Sequence, residues 1–348
     1  MPGVVVMPSG MLSSAAIMSY AVHSRRLRLV AATLVLLVLI LALAGCGPGR
    51  SSSADGGSPE EQRSDAGSLA PLSVGLMPAV DTAPFFLAQD AGYFTEEGLG
   101  VSFQVFTSGQ DRQSALQTGR IDGAMTDLVA VAVNVAGGFD LRATMLTEGV
   151  FPILVRPDLD EEGASRVSIG LMEVSVTNFL ADQWLSGEYE LEKVFVNQVP
   201  ARLEAVVSGQ LDMGVFPEPI ASLGVLRGLE RRVFEPVDGF SPDVIAFTGA
   251  ARANKGASIR AFQRAYNRAA ADIREQPDRA RDALLDNIPN LPEEIRDTMV
   301  LPVYHDARLP EDSAVDRIIS WTEQAVADEF TIRPADLLDP SFLPGSPD

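Results

Sequence analysis

Apolar and polar positions divide this chain into four stretches of different rhythm. From Leu29 to Ala44 nearly every residue is apolar, and Arg25, Arg26 and Arg28 stand just before the run. A basic segment, a short apolar core and small residues at its end predict an export signal rather than a folded element. From Gly47 to Ala70 apolar residues almost vanish in favour of Gly, Ser, Pro and charge. Such a stretch cannot bury a core and predicts a flexible tether. From Leu72 onward short alternating runs take over. Leu72-Ser73-Val74-Gly75-Leu76 and Val101-Ser102-Phe103-Gln104-Val105 read as half-buried strands. Pro84 suits the first turn of a helix over Phe85 to Ala91, with Gly92 as its stop. From Ala257 the spacing turns helical: Ile259, Phe262, Tyr266, Ala270 and Ile273 share one face, and Val315, Ile318, Ile319, Thr322 and Ala325 another.

The alternating region repeats itself once. Arg112-x-x-Ala115-x-x-x-Gly119-x-Ile121-Asp122 recurs as Arg202-x-x-Ala205-x-x-x-Gly209-x-Leu211-Asp212. Each copy predicts a helix, a glycine stop and a short strand, with another strand before it. Two strand–helix–strand units point to two α/β lobes, and a solenoid, which needs at least three copies, is excluded.

Net charge is −20 with 47 acidic against 27 basic residues, and the expected signal would remove three more arginines. That balance argues against nucleic-acid binding, which requires a basic surface. The single cysteine, Cys46, follows Leu43-Ala44-Gly45. This ending resembles the lipobox of bacterial lipoproteins, which implies cleavage before Cys46 and a diacylglycerol on its thiol. The expected organisation is therefore a signal peptide over 1–45 and a lipid-anchored tether over 46–71. The run of about sixteen apolar residues is short for a membrane span. With Cys46 acylated, no thiol remains for a disulfide or a thiolate metal site.

Residues 83–99 read Ala-Pro-Phe-Phe-Leu-Ala-Gln-Asp-Ala-Gly-Tyr-Phe-Thr-Glu-Glu-Gly-Leu. With the 115–122 segment, its repeat, and Val215-Phe216-Pro217-Glu218-Pro219, this order of motifs resembles the SsuA/THI5-like substrate-binding proteins of ABC importers. The resemblance covers roughly residues 72–343. It implies an α/β fold of the type II periplasmic-binding class: two α/β lobes with a ligand cleft between them and a helical C-terminal part. It implies lobe one over 72–156 plus 249–348 and lobe two over 157–248, with the chain crossing near Arg156-Pro157 and returning near Val244–Phe247. It also implies an extracytoplasmic protein, expected to be a monomer. The protein would deliver its ligand to an ABC permease whose ATPase is a separate subunit, since this chain carries no phosphate-binding loop.

Loops after strands should line such a cleft. The candidates are Asp81, Thr82 and Phe85 after the first strand, Ser108 after the second, Thr126 and Asp127 after the third, and Glu148 further on. In the second lobe they are Ser175, Thr177, Phe216 and Glu218. Phe85 and Phe216 are read either as stacking faces or as core, and Glu218 either as ligand contact or as structural anchor. The candidate cleft holds Asp81, Asp127, Glu148, Glu173 and Glu218 with no evident Lys or Arg. Burying an anion among carboxylates is costly, so a neutral or cationic nitrogenous ligand such as an aminopyrimidine is expected, with a sulfonate, taurine or nitrate as the alternative. No cofactor or metal is expected. Hydrolase, kinase, dinucleotide and zinc-protease motifs are absent from the sequence. That makes an enzyme of thiamine or menaquinone precursor metabolism the remote alternative. His305 is read as a loop or core residue rather than a catalytic one.

Overall fold

The computed structural model describes residues 68–235, 241–326 and 328–346. Cys46, the expected signal over 1–45 and nearly all of the expected tether lie outside the described residues. The described strands form two five-stranded sheets. In chain order the strands are β1 (Leu72–Leu76), β2 (Val101–Val105), β3 (Gly123–Asp127), β4 (Leu141–Leu146) and β5 (Ile153–Val155). They continue as β6 (Arg166–Leu171), β7 (Glu190–Phe195), β8 (Met213–Val215), β9 (Glu230–Arg232) and β10 (Asp243–Thr248). The first sheet runs β2-β1-β3-β10-β4 and the second β7-β6-β8-β5-β9. In each, the first three strands are parallel and the fourth is antiparallel to the third. The two sheets therefore have the same layout.

The alternating segments form strands because one face of each packs on the core while crossover helices cover the other. The helices that concern the site are α1 (Ala83–Asp90), α2 (Tyr93–Glu96), α3 (Gly109–Gln117) and α4 (Leu128–Ala136) in the first lobe. In the second lobe they are α5 (Val176–Leu185), α6 (Val199–Val207) and α7 (Ile220–Leu226). Gly92, Gly119 and Gly209 adopt positive φ where the sequence placed helix stops. After β10 come α8 (Gly249–Asn254), α9 (Gly256–Glu275), α10 (Asp278–Asn287), α11 (Asp312–Val326) and α12 (Pro334–Leu337). The face predicted for α9 is buried along its length, and it packs against α1 through Phe85, Phe262 and Tyr266.

The repeat is structural as well as sequential. Asp122 accepts hydrogen bonds from the Ser73 backbone N–H (2.8 Å) and Oγ (3.0 Å). Asp212 accepts the same pair from Ser168 at 2.8 and 2.7 Å. Each carboxylate ties the turn before the third strand of its sheet to the neighbouring second strand.

The lobe boundaries differ from those expected. β5 lies before the expected crossing at Arg156-Pro157 yet pairs with β8 and β9 in the second sheet. β10, expected within lobe two, lies between β3 and β4 of the first sheet. The chain thus crosses between Leu146 and Ile153 and returns between Arg232 and Asp243. Both strands are almost wholly buried. A strand buried on both faces carries no alternation to mark which sheet it joins.

Candidate functional site

The loops beyond the carboxyl ends of the two sets of parallel strands face each other and are closed together. The Val199 N–H donates to Thr107 O at 3.1 Å, and Ser108 and Gln198 form an isolated antiparallel bridge. On another side of the junction the Val80 N–H donates to Glu218 O at 2.7 Å. Met172 of the second lobe presses on Gly109 of the first so closely that a Cβ there would collide with its methyl.

Between these contacts lies an inner cavity with room for about 40 Å³ of water-sized volume. The first lobe contributes Asp81, Arg112, Thr126, Asp127 and Asp243; the second contributes Ser175, Thr177 and Arg202. Met77, Met125 and Met172 fill much of the remaining wall. Arg112 and Met172 also border an outer interlobe groove of about 400 Å³, lined by Gln110, Gln113, Gln117, Asn134, Glu173 and Asn197 among others.

Five of the candidate residues therefore meet at the cavity: Asp81, Thr126, Asp127, Ser175 and Thr177. Ser175 caps α5 through the Thr177 N–H, and its hydroxyl lies 2.8 Å from that of Thr177. Asp127 caps α4, accepting from the Ala130 N–H at 2.9 Å, and also faces the Val176 N–H across the cleft. Burial nevertheless pushes its carboxyl above the ordinary range, against the pull of Arg112 and these backbone donors.

Six candidates lie elsewhere. Thr82 turns its hydroxyl to Ala79 O at 2.6 Å. Phe85 is fully buried in an aromatic cluster with Phe103, Phe262 and Tyr266, which settles its ambiguity in favour of core. Ser108 caps α3 at the interlobe bridge. Glu148 points away to His305 Nδ1 and Arg308 Nη2, each at 2.9 Å, which gives His305 a partner in a loop. Phe216 is fully buried and gives its face to Arg202. Glu218 is an anchor: it takes Arg231 at 2.6 Å and the Ser222 N–H at 3.0 Å.

The expectation of a cleft without arginine is overturned. Arg112 and Arg202 are 5% and 0% exposed, and both line the cavity. They are the first residues of the two repeat copies, so the sequence displayed them. What it did not display is that α3 and α6 aim them inward. Asp243 was missed too, because it opens β10, which was assigned to the other lobe. Its carboxyl accepts from Ser241 Oγ and is pushed well above the usual range by burial and by Asp81. Asp81 accepts from Thr147 Oγ1 at 2.6 Å, and burial pushes it up to about 6. Among the described residues no group of three His, Cys, Asp or Glu side chains is placed to hold a metal ion.

This is the architecture of a periplasmic-binding protein, and comparison with known proteins agrees. Residues 65–154 match the NMT1-like family model, which bears out the resemblance read from the sequence over that segment. No curated protein sequence matches the chain. Among solved structures, the ligand-binding component of an ABC-type import system from Staphylococcus aureus, with zinc bound, superimposes at a TM-score of 0.66. It shares 16% identity over 80% of this chain and 99% of that one. The aliphatic sulphonate binding protein SsuA of Escherichia coli gives 0.62 at 17% identity over 78% and 92% of the two chains. The nitrate-binding protein NrtA of Synechocystis PCC 6803 gives 0.58 at 14% over 65% and 69%. These likenesses establish the shared fold.

Proposed function

We propose that this protein is the solute-binding component of an ABC-type importer. It captures a small molecule between its lobes, closes over it and delivers it to a permease driven by a separate ATPase subunit. It works outside the cytoplasmic membrane, held there by lipid on Cys46, and catalyses no reaction. The observation that carries the reading is the inner cavity: buried, ionisable and built from both lobes, at the carboxyl ends of their strands. Its members cap helices, brace one another or accept from the buried hydroxyls of Thr147 and Ser241. Among the described residues no helix is long and apolar enough to cross a membrane, which suits a protein held by an acyl anchor.

Of the cavity's ionisable groups three are carboxylates, Asp81, Asp127 and Asp243, against the two guanidinia of Arg112 and Arg202. This excess favours a ligand with a basic nitrogen, in keeping with the nitrogenous ligand expected from the sequence. The two arginines favour a second reading, an alkanesulfonate or nitrate, the ligand classes for which the sulphonate- and nitrate-binding structures above are named. Thermal unfolding of the full-length protein against aminopyrimidines, thiamine, polyamines, taurine, alkanesulfonates and nitrate distinguishes them. A ligand at a hundred times its Kd adds about 2.7 kcal/mol of stability. Shifts with amines that Asp81→Asn abolishes support the basic-nitrogen reading. Shifts with simple sulfonates or nitrate alone overturn it and keep the importer role.

A further inference from the structure

Arg112 and Arg202 hold matching places in the repeat but face opposite surroundings. Arg112 donates from Nη2 to Thr126 Oγ1 at 2.9 Å, and Asp127 and Asp243 lie close enough to favour its charge. It thus has a hydroxyl and two carboxyls for company within its own lobe, although its Nε is buried without a hydrogen-bond partner. Arg202 has no such company. Its Nη1 donates to Val196 O at 2.9 Å, and its guanidinium carbon stands 5.2 Å from the centroid of the Phe216 ring. Its Nε and Nη2 are buried without a hydrogen-bond partner, and among the described residues no carboxylate pairs with it. The side chain lies on the bare backbone of Gly170, where a Cβ would come within 2.9 Å of its Cγ.

The first lobe's wall of the same cavity presents the converse deficit. Asp81 Oδ1 is buried without a donor, and its neighbour Asp243 adds a second carboxyl to that wall. A buried charge without a partner is strongly unfavourable. One cavity therefore has an unanswered cation on one side and, at Asp81, an unanswered carboxyl oxygen on the other.

We propose that the ligand is bipolar, with an anionic or strongly accepting group received by Nε and Nη2 of Arg202 and a protonated amine received by Asp81 and Asp243. This rests on the reading of the cleft as a solute site and narrows its ligand class. Arg112 is a brace and not the anion's seat. The present cavity, about 40 Å³, holds no more than a few waters. Such a ligand therefore enters while the lobes are parted, and the unbranched side chains of Met77, Met125 and Met172 adapt around its linker.

The test is calorimetric titration of the full-length protein with a ladder of ω-amino acids, β-alanine, γ-aminobutyrate and 5-aminovalerate. Butylamine and butyrate serve as probes carrying one pole each. At least one ladder member is expected to bind ten-fold or more tightly than either single-pole probe. Arg202→Gln is expected to erase that advantage over butylamine, and Asp81→Asn the advantage over butyrate. Arg202→Lys, which keeps the buried charge, is expected to retain part of it and serves if the glutamine variant does not fold. Butylamine binding as tightly as every amino acid, with Arg202→Lys indifferent, overturns the bipolar ligand and leaves the solute site standing. Failure of this ladder together with every compound of the wider panel overturns the solute-site reading itself, and this inference with it.

Discussion

Asp122 and Asp212 do one job twice, and the copy in the second lobe shows what it contributes. The Asp212 carboxylate takes the Ser168 N–H and hydroxyl and an ion pair with Arg156 at 2.9 Å. Partial burial works against its charge, but these donors outweigh it and hold the carboxyl below its ordinary value. A carboxyl depressed on folding stabilises the protein above its unfolded pKa, about 3.9. That contribution is lost as pH falls through the folded value. Asp212→Asn should therefore cost on the order of 1–2 kcal/mol at pH 7, allowing for solvent screening of a partly exposed group. The gap from wild type should begin to narrow below about pH 4 and shrink further as pH falls through the folded value. Urea unfolding at pH 7 and pH 3 checks this; a gap undiminished at pH 3 would show that the cost is steric.

At the scale of elements, α11 ties the C-terminal part to both lobes. It packs against α4 of the first lobe and α5 of the second. Trp321 carries the second contact: its Nε1 donates to Asp182 at 3.0 Å and its ring meets Phe179 edge-on at 5.3 Å. The other tryptophan, Trp184, stacks on Phe234 within the second lobe. Parting of the lobes should thus alter the surroundings of Trp321 and spare Trp184. In a Trp184→Phe background the emission of Trp321 is expected to shift when ligand binds, whereas a Trp321→Phe protein should show little change. No shift from either would mean that α11 travels with the second lobe.

The strands, the glycine stops and the buried face of α9 were legible because each is written in local periodicity. Sheet membership of β5 and β10 was not, since it depends on long-range pairing between nearly identical apolar segments. The cavity was half legible. Loop positions after strands located Asp81, Asp127 and Ser175. Arg112 and Arg202 announced themselves only as a repeat, because the direction of a side chain from a short helix depends on how that helix docks. The aromatic residues misled for a related reason: Phe85 sits at the right loop but turns into the core, where Phe262 and Tyr266 wait for it.

The two lobes are closed around acid, and that ties their arrangement to pH. Asp81 is surrounded by Thr147, Glu148, Asp243, Tyr266 and Tyr304, and Asp243 by Ser241, Asp127 and Arg112. Burial, the largest influence on both, pushes Asp81 up to about 6 and Asp243 well above the usual range. Opening the cleft admits water and returns them toward the ordinary value of about 3.9. The closed form therefore binds protons more tightly, and lowering the pH from 7.5 shifts the ligand-free population toward closure. The trend stops below about pH 4, where both forms are protonated. Small-angle scattering of the ligand-free protein should show a smaller radius of gyration at pH 5 than at pH 7.5, with Asp81→Asn plus Asp243→Asn flat across that range. A radius that grows on acidification would mean that the cavity carboxyls remain solvated in the closed form. On the proposed amine-bearing ligand, acid should act in the opposite sense, since a protonated Asp81 no longer attracts an amine. The same carboxyls would then favour closure of the empty protein in acid and closure over ligand at neutral pH.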